Sequence, residues 1–150
     1  ERTKVLGAFE HLAECGDFLA GLSDLMQECI LAKPRHKSVL WLEIGAEATR
    51  NPEVCKTQDL CEQQIRQALT SLLERAKAEG RIQPVMPVAD IVEAMEVIAG
   101  GMFWRRATDS SLDTDRVGET FLKMFAGMIR PVSNDVVTAT TGSRLQSETV

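Results

Sequence analysis

The residues able to do nucleophilic, redox or metal chemistry are few. Cysteines stand at positions 15, 29, 55 and 61, and the histidines are His11 and His36. There is no Cys-x-x-Cys and no histidine at metal-ligand spacing from a cysteine, so the pattern of a zinc site is missing. Neither histidine follows a glutamate by three residues, as the di-iron helical bundles require. His-Glu-x-x-His, Gly-x-Ser-x-Gly, Gly-x-Gly-x-x-Gly and the phosphate loop are also absent. The sequence therefore points to no catalytic residues, no metal and no cofactor. Thiols in or beside apolar helical faces act as small hydrophobes. A redox sensor working through Cys55 or Cys61 is the alternative, and it requires a thiol of low pKa.

What remains is chemistry of binding, and the helices that would position it are well punctuated. The chain has 150 residues, enough to bury a core without staples. It carries 17 basic and 22 acidic side chains for a net charge of −5, spread evenly, which does not suit a phosphate-neutralising surface. With 44% hydrophobic residues it falls in the globular range. No apolar run is long enough for a membrane span and no signal peptide is visible, so a soluble, cytoplasmic protein without membrane partners is expected.

Hydrophobic period and Gly/Pro stops predict six helices, at 3–14, 17–32, 36–50, 52–79, 87–106 and 114–129, in an all-α bundle with no sheet. Asp17 is a good N-cap, and Asn51-Pro52 pairs a cap with proline at the first helical position. Gly80 suits the left-handed stop of the long helix. The basic group Lys33, Arg35, His36 and Lys37 is read as a helix-end cluster, because cations are favoured at helix C-termini. The helix at 36–50 is apolar on all but the strip Glu43, Glu47 and Arg50, which predicts a central position. Residues 131–150, rich in Ser and Thr, read as a C-terminal tail, flexible or loosely docked.

The order of these elements resembles the ligand-binding and dimerisation domain of the tetracycline-repressor (TetR-like) family of bacterial transcription regulators. The residues that carry the likeness are Leu42-Glu43-Ile44-Gly45-Ala46-Glu47-Ala48-Thr49-Arg50-Asn51-Pro52-Glu53-Val54 and Leu72-Leu73-Glu74-Arg75-Ala76-Lys77-Ala78-Glu79-Gly80-Arg81-Ile82. It spans about residues 1–130 and implies one such domain. In that family a helix-turn-helix domain comes first. The likeness therefore implies that residues 1–14 form the connecting helix from a DNA-binding domain absent here, through which alone operator DNA would be held. It also implies a repressor that releases the operator when a small molecule enters a pocket among the helices.

The residues expected to line that pocket are Phe18, Leu22, Met26, Trp41, Gln58, Cys61, Ile65, Met95 and Phe103, apolar walls around one amide. Gln64 and Glu43 are the next polar candidates. So few inward charges suit a small apolar or aromatic effector with one or two hydrogen-bonding groups. For pairing, Leu122, Phe125 and Ile129 lie on the side of the last helix turned from Val117, Met124 and Met128. Together with Phe121 and a second patch, Val97, Gly101 and Trp104, they predict a homodimer interface through the final two helices. A helical protein-protein interaction module without a ligand is the remaining alternative.

Overall fold

The computed structural model describes residues 7–10, 12 and 17–132. Those residues form an all-α bundle of six helices, counting the helical residues at 7–10 and 12. The rest of the expected first helix, and residues 133–150 of the expected tail, lie outside the described residues. The named helices are α1 (Phe18–Met26), α2 (Arg35–Ala48), α3 (Pro52–Ala78), α4 (Val88–Thr108) and α5 (Thr114–Ile129).

Local chemistry sets their ends. The Asp17 carboxylate accepts from the backbone N–H groups of Leu19 and Ala20 at 3.0 and 3.1 Å, and the Asn51 side chain accepts from Glu53 and Val54. Gly80, at φ 72°, takes the left-handed position after α3, and Arg81 N–H closes on the Ala76 carbonyl at 2.9 Å. Residues 17–32 do not make one α-helix as expected. After Met26 the chain widens into a π-turn, Gln27–Leu31, closed by Ala32 N–H on the Gln27 carbonyl at 2.8 Å. α5 crosses this turn closely. A Cβ on Gly118 would stand 2.5 Å from Leu31 Cδ1, so only glycine fits there without moving Leu31.

The core takes Phe9 and Leu12, one face of α1, Leu31, the C-terminal half of α3, Ile82, the inner face of α4, and Phe121, Phe125 and Ile129 of α5. Two strips of backbone close it. Val85 N–H donates to the Met128 carbonyl, Gln83 N–H to Ile129, and Val132 N–H to Arg81, with Ile82 and Pro131 in a single antiparallel bridge. Among the described residues there is no strand beyond this bridge. The first residues of the expected tail are thus docked against the loop that precedes α4.

Two expectations are corrected here. α2 is not central: Ser38 is its one buried residue, and Leu40, Trp41 and Ile44 are 46, 38 and 44% exposed. Its apolar circumference exceeds what its contacts with α3 and α4 cover, since the core closes between α1, α3, α4 and α5 without it. The second correction concerns α5. Phe121, Phe125 and Ile129, expected in a dimer interface, are at most 5% exposed inside the chain's own core, and Leu122 packs at its edge. The outward side carries Met124 instead, 55% exposed. Phe125 and Ile129 do share one side with Leu122, but Val117 and Met128, expected on the opposite side, also pack against the core, and periodicity alone cannot say which side faces inward.

Of the basic group near residue 35, Arg35 caps a helix end, but not that of the helix before it. Arg35 donates through Nε and Nη2 to the carbonyls of Arg106 and Ala107, at 3.3 and 2.5 Å, satisfying the C-terminus of α4. In return the Arg106 guanidinium donates to the carbonyls of Ile30 and Lys33. The two arginines lock the π-turn and the α1–α2 corner to the end of α4.

Candidate functional site: a cleft between α2 and α4

The surplus apolar surface of α2 meets α4 in an open cleft of about 480 Å³, lined by Trp41, Leu42, Glu43, Gly45, Ala46, Thr49 and Trp104. Its geometry follows from helical spacing. Trp41, Gly45 and Thr49 recur every four residues on one flank of α2, with Leu42 and Ala46 beside them. Gly45, without a side chain, and the methyl group of Ala46 leave a floor between larger walls. Trp41 stacks on Phe103 with ring centroids 5.2 Å apart and an interplanar angle of 23°. The same indole passes over Gly100, where a Cβ would meet Trp41 Cη2 at 3.5 Å. Trp104 forms the opposite wall and is 57% exposed. Thr49 Oγ1 donates to the Ala46 carbonyl at 2.8 Å, which leaves Glu43 as the charged group of the lining.

The nine residues expected to line a pocket are not brought together. Phe18, Leu22, Met26 and Met95 are buried in the core, filled by their neighbours. Gln58, Cys61 and Ile65 are half-buried on α3, and none of them lines the cleft. Of the set, Trp41 lines the cleft and Phe103 braces it. Glu43, ranked third among the polar candidates, is in the lining, whereas Gln64 is exposed on α3 and outside it. Leu42, Gly45, Ala46, Thr49 and the cleft side of Trp104 were missed. The signal that could have found them was the all-round apolar α2, which was assigned to the core.

Gln58 has a distinct property. Its Nε2 donates to Glu62 Oε1 at 2.8 Å, while its Oε1 is buried without a hydrogen-bond partner among the described residues. Ser38 Oγ is a second buried atom in the same condition.

The thiols divide. Cys55 Sγ lies 3.6 Å from Asp59 Oδ2, and this carboxylate, with desolvation and the more distant Glu62, pushes the thiol above its usual pKa. A raised pKa means less thiolate at neutral pH, which is the opposite of what a redox sensor needs. Site-resolved mass spectrometry after iodoacetamide treatment at pH 8 is expected to find Cys55 alkylated more slowly than an unstructured thiol, and faster in Asp59→Asn. Equal rates in parent and variant would remove Asp59 as the cause. Among the described residues no group of His, Cys, Asp and Glu could hold a metal, and no helix is long and apolar enough to cross a membrane.

No protein-family model and no curated protein matches this chain.

Proposed function

We propose that this domain is the effector-sensing and dimerisation part of a TetR-like transcriptional regulator, in which binding of a small molecule among the helices releases operator DNA held by a helix-turn-helix segment preceding residue 1. The observation that carries this reading is α2. A helix apolar nearly all round, held outside the core and bordering an open cleft with two indoles, exposes surface that costs free energy unless something covers it. A ligand shifts a conformational equilibrium only by its differential affinity for two states, and couplings of about 1–3 kcal/mol change operator affinity roughly 5- to 150-fold.

The coding sequence upstream of residue 1 tests the reading directly: a helix-turn-helix there supports it, and an unrelated segment overturns it. Where that segment is present, operator affinity that is identical with and without a saturating effector would also end the sensor reading.

Pairing belongs to the same proposal. Val97 and Gly101 share one outward flank of α4, with Val97 67% exposed, and they are the part of the expected interface that is still available, whereas Trp104 on the same flank belongs to the cleft. The chain is expected to sediment as a dimer at micromolar concentration, and Val97→Glu to shift it to monomer with a melting temperature that no longer rises with protein concentration. A two-fold axis would place the charge on both partners, doubling its effect. A parent that sediments as a monomer removes the dimer.

A further inference from the structure

The cleft between α2 and α4 differs from an ordinary apolar groove in the group set at its edge. Its walls are the protein's two tryptophans, and Glu43 stands in the same lining. Among the described residues Glu43 has neither an ion pair nor a hydrogen bond. The arginines nearest it in sequence and along the cleft are engaged elsewhere, Arg50 with Glu47 at 2.6 Å and Arg105 with Asp109 at 2.8 Å. A carboxylate in the same lining as two exposed indoles favours one ligand class. The negative face of an indole attracts a weakly hydrated cation within about 6 Å, and a nearby carboxylate supplies the counter-charge. A neutral apolar molecule would use the indoles and leave Glu43 idle. An anion would meet Glu43 and a chain of net charge −5.

We infer that the Trp41–Trp104 cleft binds an organic cation, an aromatic or alkyl quaternary ammonium, with the indoles on its apolar groups and Glu43 as its counter-charge. This rests on the effector reading above and names the chemistry of the effector. The volume of about 480 Å³ lies in the range of small-molecule sites and admits a single-ring cation. Gly45 and Ala46 let it lie close to the α2 backbone. Phe103 holds Trp41 from behind, so one wall is already in place before the ligand arrives.

Because the chain has no other tryptophan, its intrinsic fluorescence reports on this cleft. The test titrates the chain with benzyltrimethylammonium, with its neutral carbon isostere neopentylbenzene, and with benzenesulfonate. A saturable fluorescence change is expected with the cation, with binding about two- to fivefold weaker for the isostere, the size of one exposed cation–π contact. Glu43→Gln should weaken the cation by up to about fivefold, as for an exposed ion pair, and leave the isostere unchanged. Glu43 is exposed, so this variant should melt as the parent does. If the isostere or the sulfonate binds as tightly as the cation, the cationic class is overturned while an effector site at the cleft stands. If no probe gives a saturable change, the cleft proposal itself falls, and the sensor reading is decided separately by the upstream sequence and the operator measurement.

Discussion

Phe125→Ala is expected to lower the stability of the domain by about 3–5 kcal/mol, the largest loss from any single truncation considered. Phe125 is fully buried at the middle of α5, between Phe121 and Ile129 on the face that closes the core. Its ring stacks on Phe121 with centroids 6.2 Å apart, so truncation removes an aromatic contact as well as opening a cavity. In a domain of this size each kcal/mol moves the melting temperature by about 2–4 °C, which predicts a fall on the order of 10 °C. Phe125→Glu should leave no folded domain, because the charge would be buried without a partner. Met124→Ala, one residue earlier and more than half exposed, should stay within about 0.5 kcal/mol of the parent. The melting temperatures also separate core from interface. A core role gives a loss that does not depend on protein concentration, whereas an interface role would make the loss grow on dilution. A Phe125→Ala variant that melts like the parent would place the ring outside the core.

How much of this could be read from the sequence depends on which physical signal each feature leaves. Helix ends were legible, because Asp17, Asn51-Pro52 and Gly80 each act through their own backbone neighbours. The inner face of α4 was legible too, since Val88, Ile91, Val92, Met95 and Met102 are buried at a helical period and Val97 and Trp104 lie outward. The inward side of α5 was not. Both of its sides are apolar, and the choice is made by α1 and the π-turn that pack on it, with Gly118 against Leu31. α2 failed for a related reason. An apolar helix must be covered, but the sequence does not say whether by its own core, by a ligand or by another chain. The site suffered most, because four of its expected residues had partners in the core that spacing along one helix cannot reveal. The π-turn carries no sequence signal we can identify.

The second large effect expected is at Arg106, whose role follows from where two helix ends meet. The carbonyls of Ile30 and Lys33 lie at the close of the π-turn, beyond reach of any further helical N–H, and both accept from its guanidinium. Hydrogen bonds to a charged donor are worth about 1.5–3 kcal/mol each when the site is partly sheltered, as here. Arg106→Ala is expected to cost about 2–4 kcal/mol, allowing for water reaching one of the exposed carbonyls. Lysine offers a point charge in place of a planar fork, so Arg106→Lys should recover only part of the loss. Arg50→Ala is the contrasting case, because it breaks a side-chain ion pair that is 75% exposed on the arginine side and should change stability by less than about 0.5 kcal/mol. Denaturant unfolding of the three variants measures this, and equal losses at positions 50 and 106 would show that the clamp holds nothing. The position of the clamp gives the measurement a second use. Arg106 follows Trp104 by two residues, and its guanidinium holds the turn that leads back to α1. On the sensor reading proposed above, in a protein with an upstream DNA-binding segment, Arg106→Lys should reduce the effect of an effector on DNA affinity more than it reduces effector binding. Loss of both in equal proportion would make Arg106 a part of the scaffold alone.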